Sequence, residues 1–156
     1  MYLITGDINT GKSTKTYAYS KHFPNADGFI SIKSMSGIDV NKYDLVQLST
    51  KDSIVLAYKD PFYQHQFESN QTLGEYHFND SAFQWAEKLV DEWIAGNVHP
   101  IFIDEVGMLE IQGNGFYPII KKLIEIKRDC YFTIREAFIP NFTEKFQLIT
   151  YSILTL

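Results

Sequence analysis

Nine residues near the start of the chain, Gly6-Asp7-Ile8-Asn9-Thr10-Gly11-Lys12-Ser13-Thr14, constrain its fold more than any other stretch. They form Gly-x4-Gly-Lys-Ser, the pattern of a phosphate-binding loop, and follow an apolar run, Met1 to Thr5, that reads as a strand. Such a loop turns a strand sharply into a helix whose first N–H groups have no intrahelical partner and suit phosphate oxygens. Gly6 and Gly11 allow backbone angles closed to other residues and let an anion approach the main chain. Lys12 supplies a charge for β- and γ-phosphates, Ser13 a hydroxyl for Mg²⁺, and Thr14 lies within reach of an α-phosphate. Asp7, Ile8, Asn9 and Thr10 complete the expected nucleotide-binding loop. A Gly-containing turn before an ordinary helix would require none of these neighbours.

The chain has 156 residues, enough for one domain over 1–156. A net charge of −5 excludes a general basic footprint, so no nucleic-acid partner is expected and polyphosphate must be held by local groups. Cys130 is the single cysteine, which rules out an intramolecular disulfide and reads as core packing in a reducing compartment. No apolar run reaches the roughly 18 residues of a membrane span, and a first strand at Met1 leaves no room for a leader, so a cytoplasmic location and no membrane association are expected. No protein partner is legible.

Beyond the loop, a helix is predicted from Lys12 to about Lys21, ended by Pro24 and Asn25-Ala26-Asp27-Gly28. Gly28 to Ile32, Tyr43 to Leu48 and Ser53 to Tyr58 read as short strands, antiparallel and inserted between the first two helices. From Lys59 to Asn79 periodicity fails, but Phe62, Tyr63, Phe67, Tyr76 and Phe78 accumulate. They read either as a wall for a nucleotide base or as packing of short strands, and His65 and His77 as ordinary polar residues. Asn79 caps a helix running to Gly96. Ile101-Phe102-Ile103 predicts a strand covered on both faces, followed by Asp104-Glu105. A helix from Phe116 to Arg128 with Pro118 in its first turn, a strand from Asp129 to Ile134, an interruption at Pro140 and a last strand from Phe146 to Ile153 complete the reading. The alternation predicts α/β layering around a mostly parallel sheet flanked by helices.

In such sheets ligands sit at the carboxyl ends of the strands, so the loop, Asp104-Glu105 and Thr133-Ile134-Arg135 should converge. Asp104 then serves the metal and Glu105 orients an attacking water, although acidic residues after a strand can also merely cap a helix. Thr133 and Arg135 either sense the γ-phosphate or end an exposed strand. The chain has two arginines, Arg128 and Arg135, and Arg135 is the one candidate for the transferring phosphate.

Nearly the whole chain resembles the small P-loop nucleoside-triphosphatases related to the thermophile nucleoside-triphosphate phosphohydrolase. The likeness rests on Gly6 to Thr14, Gly28-Phe29, Gly74-Glu75-Tyr76, Ala82-Phe83 and, above all, Asp104-Glu105-Val106-Gly107-Met108-Leu109-Glu110. The last is similar to the family's Asp-Glu-Ile-Gly-x-Met-Glu tract. The sequence departs from the pattern at Asn9, where relatives commonly carry glycine, in the shifted Met108 and Glu110, and in having only Arg135 after its strand. The resemblance implies a P-loop fold of the additional-strand class, with the Thr133 strand between those of the loop and Asp104. It also implies Mg²⁺-dependent hydrolysis of nucleoside triphosphates with weak base preference. Lys12 and Ser13 would hold phosphate and metal, Asp104 would serve the metal and Glu105 would activate water. A kinase, or a switch that binds nucleotide without turnover, uses the same loop and remains open at this point.

Overall fold

The computed structural model describes residues 1–6 and 11–156. Asp7, Ile8, Asn9 and Thr10 of the expected loop lie outside the described residues. Strand β1 (Tyr2–Thr5) leads through the loop to helix α1 (Lys12–Ser20). Strands β2 (Asp27–Ser36), β3 (Asp39–Gln47), β4 (Ser53–Lys59), β5 (Gln71–Leu73) and β6 (Tyr76–Phe78) come before α2 (Asp80–Ala95). Then follow β7 (Ile101–Val106), the short α3 (Met108–Ile111), α4 (Tyr117–Glu125), β8 (Cys130–Ile134), α5 (Ile139–Lys145) and β9 (Ser152–Thr155).

The described strands form one sheet in the order β5-β6-β4-β3-β2-β7-β8-β1-β9. From β2 to β9 neighbours run parallel, and from β2 to β5 antiparallel. The expected placement of the Thr133 strand is therefore observed: β8 lies between β1 and β7. Its apolar run is continuous because both faces of the parallel half are covered. Leu3, Phe29, Ile101, Ile103 and Phe132 point to α2, α4 and α5, whereas Ile4, Ile30, Phe102 and Tyr131 pack with Tyr17, Tyr19 and Phe23 on the α1 side.

Strand β2 belongs to both halves. Asp27 to Phe29 pair with Ile101 to Ile103 of β7, after which β2 continues only with β3. A Cβ at Gly28 would overlap the Phe102 carbonyl oxygen, so this close parallel pairing requires glycine. Beyond Phe29 the sheet forks. Where the ladder would have continued, the Ser31 N–H instead donates to Asp104 Oδ2 at 3.1 Å.

Two expectations need correction. Phe146 to Ile153 does not form a strand throughout. Phe146 closes α5, its N–H donating to the Phe142 carbonyl at 3.0 Å, and β9 starts at Ser152. Pro140 does not interrupt but occupies the first turn of α5, where its missing N–H costs nothing. On the outer face of α4, Lys122 pairs with Asp91 of α2 at 2.7 Å.

Candidate active site

At the carboxyl ends of β1 and β7 the fork opens a crevice of about 250 Å³. It collects Gly11, Lys12, Ser13 and Thr14 with Glu105 and Arg135, and adds Ser31, Lys33 and Tyr43 from the β2–β3 hairpin. Gly11 stands at the N-cap of α1 with φ of +76°, a left-handed conformation that glycine adopts without strain. No side chain caps α1 and its first turn holds no acidic residue, as suits a helix start that receives an anion. Lys12 Nζ donates to the Gly6 carbonyl at 3.0 Å, bridging the two ends of the loop.

Asp104 and Glu105 are adjacent in a strand yet meet different surroundings. Glu105 has φ of +60°, and the β7–β8 register shifts between Ile103 and Val106. A left-handed non-glycine residue costs about 1–2 kcal/mol. It is held there by its N–H, which donates to Thr133 Oγ1 at 2.7 Å. The same Thr133 hydroxyl donates to Asp104 Oδ1. Thr133 is itself buried and so does not end an exposed strand; its hydroxyl orders the two acidic residues from behind.

Asp104 is fully buried. Loss of hydration pushes its carboxyl above the ordinary range, and the Ser13 and Thr133 hydroxyls with the Ser31 and Glu105 amides oppose that push. Glu105 opens into the crevice. Its carboxyl is raised first by reduced hydration and then by the neighbouring Asp104 charge, while Arg135, Lys12 and Lys33 hold it down. Arg135, left open by sequence, therefore lines the crevice, with its guanidinium over the Phe138 ring at 5.9 Å.

Ser31, Lys33 and Tyr43 were not anticipated. Ser31 and Lys33 share one face of β2 by the period of two, but nothing local shows that this face turns toward the loop. Burial pushes the Tyr43 phenol up to about 12, and its hydrogen bond with Tyr76 adds to the rise.

Glu110, whose role sequence reading left unassigned, is a buried staple. Its carboxylate accepts the Gly107 N–H at 2.9 Å and the Phe116 N–H at 3.1 Å, tying the turn after Glu105 to the start of α4. Burial pushes its carboxyl up to about 7. Of the aromatic stretch, Tyr63 stacks on His77 with ring centroids 4.3 Å apart and His77 meets Asp60 at 3.0 Å, whereas Tyr76 and Phe78 face a cavity beside Glu105. Cys130 is buried and its thiol is pushed up to about 12, as core packing implies.

Among known proteins, the family model described as NTPase matches residues 1–155. The nucleoside-triphosphatase THEP1 of Thermotoga maritima is 24% identical over 143 residues, covering 92% of this chain and 78% of that protein. The crystal structure of THEP1 from Aquifex aeolicus superimposes with a TM-score of 0.71 at 17% identity, over 100% of this chain and 90% of that one. The solution structure of a human cancer-related nucleoside triphosphatase gives 0.69 at 16% identity, over 99% and 87%. At these identities the two structures speak for the fold.

Proposed function

Because the chain belongs to the NTPase family, we propose that it is a single-domain enzyme that hydrolyses nucleoside triphosphates, ATP and GTP among them, to diphosphate and phosphate with Mg²⁺. The observation that carries this reading is the convergence of Lys12, Ser13 and Glu105 on one crevice, with the buried Asp104 next to them. A buried carboxylate and a neighbouring hydroxyl are hard oxygen donors. They fit a small divalent cation that keeps waters and substrate phosphates as its remaining ligands. Among the described residues no cluster of three or more His, Cys, Asp or Glu offers a complete protein cage, in keeping with such a site. Ser13 and Asp104 would hold Mg²⁺, which when bound neutralises charge on the β- and γ-phosphates.

The other steps fall to side chains. The loop and Lys12 bind the phosphates, and Glu105 accepts a hydrogen bond from the attacking water and takes its proton as the oxygen reaches the γ-phosphorus. Arg135 and Lys33 supply positive charge on the Glu105 side of the crevice. That arrangement supports a modest rate, since Arg135 is the one arginine lining the crevice among the described residues. The lone buried thiol and the lack, among the described residues, of any helix long and apolar enough to cross a membrane are compatible with work in the cytoplasm.

The test is phosphate release from ATP, GTP, CTP and UTP with Mg²⁺, run beside Glu105→Gln. Release with all four that falls by about 10²-fold in the variant is expected, as for loss of a positioned proton acceptor. Equal release from both proteins would reject Glu105 as the water-orienting group, and no release despite MgATP binding would reject hydrolysis.

A further inference from the structure

Past Glu105 the crevice continues into a second cavity of about 220 Å³ whose lining is mainly apolar. Tyr43, Tyr76, Phe78, Phe83, Phe116 and Phe138 contribute rings to its walls. Ser31, Tyr43, Glu105 and Arg135 line both this cavity and the phosphate crevice, so the two spaces meet at the proposed reaction centre. At that junction Ser31 is 7% exposed and its Oγ has no hydrogen-bond partner among the described residues. Buried hydroxyls are normally satisfied, and an unpaired one on a cavity wall points to a polar group brought by a ligand.

We propose that this cavity binds a phosphoryl acceptor, a small uncharged single-ring aromatic or heteroaromatic alcohol, whose hydroxyl stands where water otherwise stands beside Glu105. The inference rests on the proposed position of the γ-phosphate between Lys12 and Glu105. In-line transfer puts the attacking oxygen opposite the β-phosphate leaving group, so the nucleoside runs away from Glu105 and its base does not reach this cavity. The walls select the occupant. Aromatic faces favour a planar ring. The charged groups stand at the mouth, with Glu110 sequestered on its two backbone amides, so a charged ring would lose hydration without a partner. In the step itself the alcohol oxygen bonds to the γ-phosphorus as its proton passes to the Glu105 carboxylate. The bond from that phosphorus to the bridging oxygen breaks, and nucleoside diphosphate and a phosphate monoester leave before Glu105 returns the proton to solvent.

The experiment supplies Mg²⁺ and γ-labelled ATP together with phenol, benzyl alcohol, hydroxymethylpyridine or hydroxymethylpyrimidine. It measures ADP, inorganic phosphate and labelled ester, with ring binding followed by ligand-observed NMR. The expected result is that at least one alcohol raises ADP severalfold above phosphate, with the difference recovered as ester. Leu73→Trp and Met108→Trp, which fill the cavity from two different walls, should each lower the ester-to-phosphate ratio at least tenfold. If no alcohol binds, if bound alcohols yield no ester, or if both cavity-filling variants keep the wild-type ratio, the acceptor site is overturned. Displacement of the rings by MgADP would equally overturn it, by assigning the cavity to the nucleotide's own base. Phosphate release without ester leaves hydrolysis standing and this inference refuted, whereas ester without phosphate release does the reverse.

Discussion

Thr133 ties together the two acidic residues at the end of β7. One hydroxyl donates to the Asp104 carboxylate and accepts the Glu105 N–H, and so fixes both the carboxylate and the left-handed backbone beside it. Thr133→Val keeps the volume but strands those groups. It should cost about 1–3 kcal/mol in urea denaturation and lower kcat more than it raises the KM for nucleotide; a variant with wild-type stability and kcat would show that the bond holds nothing. Arg135→Ala should slow turnover by at least about tenfold, short of the roughly 10³–10⁵ that a full arginine finger commands, and an effect below about threefold would remove it from the reaction. Lys12, Ser13, Asp104 and Glu105 were legible because each belongs to a short motif whose spacing encodes its place. Ser31, Lys33 and Tyr43 were not, since they enter the site only through a strand pairing remote in sequence. Thr133 was noticed as a polar residue at the end of a strand, but its partners are 28 and 29 positions away.

The elements that misled are those in which local pattern and tertiary packing disagree. Phe146 to Ile149 has a strand's composition, yet Ile139, Phe142 and Phe146 recur at helical spacing and bury against the sheet. Phe142 is fully buried between Phe132 and Phe146, at centroid distances of 6.0 and 4.7 Å. Phe142→Ala should therefore destabilise the fold by about 3–5 kcal/mol, and a loss below about 1 kcal/mol in denaturant would mean that α5 is not seated as described. The α2 helix was read correctly because cap, period and breaker agreed, and α1 starts at Lys12 as expected. Between α3 and α4, Glu110 provides a pH test. Its carboxyl is raised from an ordinary 4.5 to about 7, so the unfolded chain releases this proton at lower pH than the folded one. Below 4.5 both states hold the proton. As pH rises from there to about 7 the unfolded state is favoured, so the folded protein loses stability on the order of a few kcal/mol. Glu110→Gln removes that slope, and denaturation midpoints at both ends of the window check it. Parallel trends in variant and wild type would place the titration elsewhere.

For the whole molecule, nucleotide and fold should be linked through the loop. At a MgATP concentration 100-fold above Kd, binding adds about 2.7 kcal/mol to stability, which in a chain of this size raises Tm by roughly 5–10 °C. Lys12→Ala should abolish most of that shift while leaving the Tm of the free protein within a few degrees, and an undiminished shift would reject the loop as the phosphate site. The division of the sheet into a parallel and an antiparallel half was foreseen from the chain order of strands and helices. That β2 serves both halves was not, because its first residues and its last answer to different neighbours. The fork that results also separates two kinds of inheritance. The loop, Asp104 and Glu105 stand on one side of it, and Ser31, Lys33 and Tyr43 on the other. A hairpin exchanged between two relatives would travel as a cassette, so that a chimaera sets Ser31, Lys33 and Tyr43 from one parent against the loop and acidic pair of the other.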